Sequence, residues 1–301
     1  RFGDERVFYT AAGNSRTPFI VNVAGLVFNV VLDPVLIFGI GPFPELGVSG
    51  AAAATVTAQA LVSLLFFKAV LREKVLFPHL RLWVLVPVKV WREIVRIGVP
   101  SAVQNLIYAG ISMILTRLIT GWGDLAVAAQ RVGSQIESVS WMVGDGFSAA
   151  VNAFLGQNYG AKRYDRVRRG YFCAIAMTAA WGLCTTFLLI GMARPLFSIF
   201  LQEEEVMAIG VNYLRIVGLS QMFMMVEQTS IGAFSGLGRT LYPSIVSVTF
   251  TSARIPVAVL LSSVMGLSGI WWALSISSMV KGCILFVSFV VFLYVFLERK
   301  K

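Results

Sequence analysis

The feature that most constrains this chain is a series of long apolar runs that contain few charges. Each run has at least about eighteen residues, which is enough to cross a bilayer core of about 30 Å as a helix. Eight such segments are predicted, at residues 18–40, 46–71, 94–119, 125–150, 171–201, 206–235, 241–265 and 267–297. The runs are long and mostly unalternating, which favours a helix bundle over a barrel. The sequence therefore predicts an all-α integral membrane protein with about eight transmembrane helices.

The overall composition agrees with this class, and the distribution of charge predicts the topology. The chain is 57% hydrophobic and 13% charged, with a mean hydropathy of +0.79. A net charge of +10 is compatible with nucleic-acid binding, but 19 of the 25 Lys and Arg lie on one side of the predicted segments. The connections on the other side, 41–45, 121–124 and 202–205, carry acids and no Lys or Arg. By the positive-inside rule, the basic side and both termini are cytoplasmic, and no nucleic-acid partner is expected.

A weak internal repeat relates the start of the chain to its end. The sequence "AGNSRT" at 12–17 resembles "SGLGRT" at 235–240, and each precedes an apolar segment. Each is followed by a second pattern, "GVSGAAAA" at 47–54 and "GLSGIWWA" at 266–273. Both copies run in the same direction through the membrane. Such parallel repeats are typical of transporters that are built from two similar halves.

The repeat predicts a domain organisation. Four predicted segments lie between the two copies, so four should also precede the first copy, where the chain has only twelve residues. We therefore expect an N-terminally truncated two-lobe protein. In this interpretation residues 1–71 are the end of an N-terminal lobe, 72–93 are a cytoplasmic linker, and 94–301 are a six-helix C-terminal lobe.

Several motifs together resemble the multidrug and toxic compound extrusion (MATE) family of transporters. They are "NVVLDPVLIFG" (29–39), "LGVSGAAAATV" (46–56), "GVPSAVQN" (98–105), "AAQRV" (128–132), "GFSAAVNAFLGQNYGAKR" (146–163) and "GAFSGLGRT" (232–240). The resemblance covers the whole chain and implies helices five to twelve of a twelve-helix, two-lobe fold. It also implies an antiporter of the bacterial inner membrane that takes up H⁺ or Na⁺ and exports small, often cationic amphipathic compounds by alternating access. The resemblance implies a monomer when full length, with a small-molecule substrate, the lipid bilayer as surroundings and no cofactor besides the coupling ion.

Two polar residues in the first apolar segment form a candidate cation site. Asn29 and Asp33 lie four residues apart, on one face of a helix, and Pro34 follows directly. A carboxylate in the bilayer is costly, so it normally faces a cavity or a partner. The resemblance implies that Asn29, Asp33 and Thr55 belong to the cation site of the first lobe, together with an aspartate on the family's first helix. The alternative is a polar cluster that holds helices together.

Glu227 and Arg254 are candidates for substrate binding or gating. At 1.5 Å per residue, both lie about 20 Å from the cytoplasmic turn at Arg239, which predicts an ion pair between them. Some members of the family use an acid on this helix, but the resemblance places it three residues before Glu227. They also use an acid on the first helix of the lobe, where the polar residues of this sequence are Gln104, Asn105 and Tyr108. Gln104 and Asn105 are further candidates for substrate binding or gating, and this departure from the family leaves the existence of a second-lobe cation site open.

Glu137, in the fourth segment, is a further candidate for the cavity. Arg131 precedes it by six residues, and we expect the two to form an ion pair, with cavity lining as the alternative for Glu137.

Two other functions compete with cation-coupled export. A lipid-linked oligosaccharide flippase of the same architecture is expected to have more basic residues in its cavity, and the buried acids disfavour it. A membrane enzyme needs clustered Asp, His or Ser/Lys groups at one depth. The predicted segments contain no such pattern, so an enzyme is not predicted.

Overall fold

The computed structural model of this protein describes residues 9, 13–42, 44–72 and 87–297. Within these ranges the secondary structure is helical. The helices are α1 Arg16–Phe38, α2 Gly47–Arg72, α3 Val88–Thr120, α4 Asp124–Gly160, α5 Tyr164–Gly191, α6 Ala193–Ser198, α7 Glu204–Gly218, α8 Gln221–Gly236, α9 Leu241–Ser252, α10 Arg254–Met265 and α11 Leu267–Phe292, followed by a π-helical turn Leu293–Leu297. The predicted linker 72–93 is only partly described, since 73–86 lie outside these ranges and α3 begins at Val88.

The predicted all-helical membrane fold is confirmed. Six helical segments in the described residues are long and apolar enough to cross a membrane, and a bent pair adds a seventh. The remaining predicted segment, 125–150, lies within α4, which is 37 residues long. Polar side chains such as Glu137 and Asp145 make α4 less apolar than the other helices. These side chains line cavities, as described below.

Two of the predicted segments are broken helices. Helices α7 and α8 meet at a bend of 50°, and the Gly218 carbonyl at this break accepts a hydrogen bond of 2.9 Å from Thr186 Oγ1. Helices α9 and α10 meet at Ala253. Pro256 has no amide hydrogen for the carbonyl four residues earlier, which explains a break at this position.

The chain divides into two compact units, Arg1–Leu85 and Val86–Lys301. In the first unit, α1 and α2 pack against each other. Gly25 of α1 faces Val62 of α2, while Gly50 at the start of α2 faces the Leu36 carbonyl near the end of α1. These two contacts define an antiparallel helix pair.

The two copies of the sequence repeat share two local features. Gly47 and Gly266 both have positive φ, 54° and 62°; Gly47 is the first residue of α2, and Gly266 directly precedes α11. Three residues later, Gly50 and Gly269 each lie against a backbone carbonyl of the preceding helix, that of Leu36 or Leu261. In the pattern Gly-x-Ser-Gly, the first glycine therefore permits the turn and the second permits close helix approach.

The core of the second unit is centred on α8, which packs against α4, α5 and α11. Its largest clusters of buried side chains are centred on Tyr171, Phe234 and Phe289, and on Tyr213 and Trp271. Helix α8 approaches α4 closely because Gly232 and Gly236 face the carbonyl oxygens of Ser148 and Asn152. Small residues four apart permit this backbone approach between membrane helices.

The close approach of α8 to α4 makes Gly236 sensitive to substitution. A β-carbon at Gly236 would overlap the Asn152 carbonyl oxygen, so we expect Gly236→Ala to cost about 1–3 kcal/mol of stability. Thermal unfolding of the purified protein in detergent measures this. The matched control is Gly146→Ala in α4, where the added carbon meets no heavy atom of the described residues within 4 Å besides its chain neighbours and the backbone of its own helix. The control should be neutral or slightly stabilising, and an equal loss in both variants would contradict the interpretation.

Candidate functional site

The first unit brings Asn29 and Asp33 together on α1. Asn29 Nδ2 lies 3.5 Å from Asp33 Oδ1, and both residues are partly buried. Pro34 lies inside the same helix and cannot donate to the Val30 carbonyl, which leaves this oxygen available for another partner. An amide, a carboxylate and a freed carbonyl thus lie within about one helical turn.

Thr55 lies on α2 and does not join this pair directly. Its hydroxyl is exposed and donates a hydrogen bond of 2.9 Å to the Ala51 carbonyl of its own helix. Within 13–42 and 44–72, no hydrogen bond links Thr55 to Asn29 or Asp33. The antiparallel packing of α1 and α2 nevertheless places Thr55 near the level of Asp33.

The second unit encloses two polar cavities, which share Tyr108, Trp141 and Thr251 in their walls. The Glu137 cavity has a volume of about 280 Å³, and the Glu227 cavity has about 370 Å³. The rings of Tyr108 and Trp141 lie 6.3 Å apart between the two. The Glu137 cavity is lined by Glu137, Arg254, Tyr213, Gln130, Ser220 and Ser278, among others. The Glu227 cavity is lined by Glu227, Lys281, Asp145, Gln228, Gln104 and Asn105, among others.

Glu137 is held by three neutral donors. Its Oε1 accepts hydrogen bonds of 3.0 Å from Trp141 Nε1 and Gln221 Nε2, and its Oε2 accepts one of 3.0 Å from the Tyr213 hydroxyl. The predicted ion pair with Arg131 is therefore wrong, and the alternative of cavity lining applies. The physical reason is helix geometry, since residues six apart point to different sides of a helix whereas Trp141, four residues on, shares its face.

Glu227 forms a salt bridge with Lys281 and not with Arg254. Lys281 Nζ lies 2.7 Å from Glu227 Oε1, and the two side chains are only 6% and 9% exposed. Helices α8 and α11 approach closely here because Gly282 faces the Phe223 carbonyl, one turn before Glu227. The predicted Glu227–Arg254 pair is therefore wrong. The prediction used only the equal depth of the two residues in the membrane, which does not determine the direction in which each side chain points.

Arg254 instead binds two hydroxyl groups. Its Nε donates to Ser277 Oγ and its Nη2 donates to Ser278 Oγ at 2.9 Å. Both serines lie on α11, and the arginine is 6% exposed. Arg254 thus lies in the wall of the Glu137 cavity with two neutral hydrogen-bond partners.

The remaining candidates line the Glu227 cavity. Gln104 and Asn105 on α3 face it together with Asp145, to which Gln228 Nε2 donates a hydrogen bond of 3.1 Å. The two cavities of the second unit are therefore lined by three acids and two bases. Sequence reasoning missed Lys281, although a single lysine in the apolar run 267–297 was a usable signal.

Polar and charged side chains make these cavities suitable for ligand binding. The described residues contain no group of three or more His, Cys, Asp or Glu that could hold a metal ion. The cavities offer hydrogen-bond donors, acceptors and charges inside a bundle of apolar helices, which suits polar or charged small molecules.

Comparison with known proteins agrees with a helical membrane protein that binds small molecules. The MatE family model matches residues 100–260. "Probable multidrug resistance protein NorM" of Thermotoga maritima is 32% identical over 274 residues, which are 86% of this chain and 56% of the relative. "FAD transporter" of Shewanella oneidensis is 26% identical over 278 residues, or 90% of this chain and 60% of the relative. The crystal structure of a Vibrio cholerae MATE transporter, VcmN, has a TM-score of 0.82 at 22% identity and covers 97% of this chain and 66% of that one.

These findings define a family of multi-pass membrane transporters, whose members are not enzymes. The chain belongs to the MatE family of multidrug and toxic compound extrusion transporters. It spans between about half and two thirds of the length of the relatives it matches.

Proposed function

We propose that this chain functions in a cation-coupled antiporter that exports small amphipathic compounds, often cationic, by alternating access. The observation that carries the proposal is the placement of ionisable groups inside apolar helices of a MatE-family chain. Asp33 lies in the most N-terminal described span, and Glu137 and Glu227 face cavities in the second unit. Charged groups at membrane depth are costly unless they face a cavity, a partner or an ion.

The proposed coupling site for H⁺ or Na⁺ consists of Asn29, Asp33 and Thr55. The close approach of Asn29 to Asp33 and the carbonyl freed by Pro34 supply oxygen ligands of the kind that hard cations prefer. Thr55 can contribute only after its hydroxyl turns from the Ala51 carbonyl. Glu227, Arg254, Gln104, Asn105 and Glu137 are proposed for substrate binding or gating.

The proposed location is the bacterial inner membrane, with both termini in the cytoplasm. The accumulation of basic residues at alternate helix connections supports this orientation. We propose a monomer without a cofactor, whose partners are the substrate, the coupling ion and lipid.

A dye-efflux measurement tests the proposal. Cells that express the complete product of the gene encoding this sequence should accumulate less ethidium than cells with empty vector, and collapse of the ion gradients should remove the difference. Separate collapse of the H⁺ and Na⁺ gradients identifies the coupling ion. Efflux that persists when both gradients are absent would contradict coupling.

A flippase for lipid-linked oligosaccharides is the second candidate, and the observation that favours it is the presence of Arg254 and Lys281 in the cavity walls. Cationic side chains suit the phosphate of such a lipid. Three acids in the same interior oppose it. Translocation of a fluorescent polyprenyl-phosphate lipid in liposomes, without any response to ethidium, would select this alternative.

A further inference from the structure

The Glu137 cavity has one negative and one positive side chain in its wall, and neither is neutralised by an ion pair. Glu137 and Arg254 both line it. The buried salt bridge of this unit, Glu227–Lys281, uses neither of them. Among the residues that the structure describes, no salt bridge involves Glu137 or Arg254.

The donors around Glu137 orient its carboxylate without cancelling its charge. Trp141, Tyr213 and Gln221 are neutral, and together they supply three hydrogen bonds. A carboxylate has about four acceptor positions, so at least one remains for a ligand. A positively charged ligand group at this position would gain both a hydrogen bond and an attraction in a partly desolvated site.

The hydroxyls around Arg254 likewise orient its guanidinium without cancelling its positive charge. Ser277 and Ser278 accept two hydrogen bonds from the guanidinium. A guanidinium has five N–H donors in a plane, so donors remain after these two. Such a fork suits the two oxygens of a carboxylate.

Three aromatic side chains also line the Glu137 cavity. Tyr108, Trp141 and Tyr213 line the cavity, and their faces can pack on a flat apolar group. The volume of about 280 Å³ restricts the ligand to a small molecule.

We propose that the Glu137 cavity is a binding site for small amphoteric molecules, with an ammonium group at Glu137, a carboxylate at Arg254 and an apolar body along the aromatic rings. A ligand of this type satisfies both charges at once, whereas a simple cation leaves Arg254 without an ionic partner and a simple anion leaves Glu137 without one. That such molecules are also exported rests on the proposed function. The binding site does not, so it is tested without transport.

The test compares three probes that share one benzene ring. They are 4-(aminomethyl)benzoate, which carries both charges, benzylamine, which carries only the positive charge, and benzoate, which carries only the negative charge. Their affinities for the purified chain in detergent are measured by isothermal titration calorimetry, with no ion gradient present. We expect the amphoteric probe to bind about ten-fold or more tightly than either singly charged probe. Equal affinities, or no binding of the amphoteric probe up to about 10 mM, would overturn the proposal.

Two substitutions test which residue binds which charged group of the amphoteric probe. Glu137→Gln should reduce the affinity for the amphoteric probe to that of benzoate and leave benzoate binding intact. Arg254→Gln should reduce it to that of benzylamine and leave benzylamine binding intact. The retained binding of one singly charged probe shows that each variant is folded.

Matched controls use the exposed ion pair of Arg194 and Glu204, at 2.8 Å. Arg194→Gln and Glu204→Gln make the same chemical changes outside the cavity and should leave all three affinities unchanged.

Wild-type affinity for the amphoteric probe in both cavity variants would overturn the proposal. If a variant loses all binding, the proposal is judged by the affinities of the three probes for the wild-type protein. Failure of efflux with intact amphoteric selectivity would reject the proposed function alone.

Discussion

Replacing Lys281 with methionine should destabilise the protein by about 3–5 kcal/mol. The substitution leaves Glu227 charged and without its partner at a position where both side chains are at least nine-tenths buried. The lost interaction is a direct salt bridge of 2.7 Å, and the cost is largely that of a buried charge left unpaired. Thermal or denaturant unfolding of the purified protein, monitored by helical circular dichroism, measures the loss.

The double variant Lys281→Met with Glu227→Met should recover most of this stability, because two apolar side chains of similar volume remove both charges together. The matched control is Arg194→Met, which breaks the exposed pair with Glu204 and should cost at most about 1 kcal/mol. A double variant whose loss equals the sum of the two single losses would show that Glu227 and Lys281 are not coupled.

Substituting Asp33 with asparagine should abolish ion-driven export while leaving expression and insertion intact. The amide has nearly the same volume as the carboxylate, so packing is preserved while the charge that we propose to bind the coupling ion is removed. If Asp33 only holds helices together, an amide should serve as well, because it still forms hydrogen bonds to neighbouring polar groups. The measurement is ethidium efflux in cells that carry the variant in the complete gene product.

Glu45 provides the matched control for this substitution, because it lies in the connection between α1 and α2 and not within a helix. Glu45→Gln should therefore leave export unchanged. Ion-driven efflux at the wild-type rate in Asp33→Asn would show that the Asn29–Asp33 pair has only a structural role.

The class of fold was predictable because long apolar runs leave few alternatives. A helix satisfies its own backbone in lipid, so the number and approximate position of the spans follow from hydropathy. The repeat was also visible in the sequence, and Gly47 and Gly266 in its two copies both have positive φ. The breaks at Gly218 and Ala253 were not predicted, because in each case hydropathy continues across the break.

The partners of the buried charges were the least predictable part of the site. Counting residues from a turn gives the depth of a side chain but not its direction around the helix axis. Glu227 and Arg254 were therefore correctly identified as interior groups but incorrectly paired. The pairing with Lys281 depends on the close approach of α8 and α11 at Gly282, a tertiary contact that no local pattern in the sequence specifies.

The most direct test of cation-coupled exchange uses the complete gene product in sealed liposomes that contain an indicator of H⁺ or Na⁺. Coupling between two ligands is reciprocal in its equilibrium, so a gradient of ethidium alone should drive the coupling ion in the opposite direction. We predict that ethidium added to one side produces an ion flux towards that side, and that Asp33→Asn abolishes this flux. Ethidium transport without any movement of either ion would contradict cation-coupled antiport.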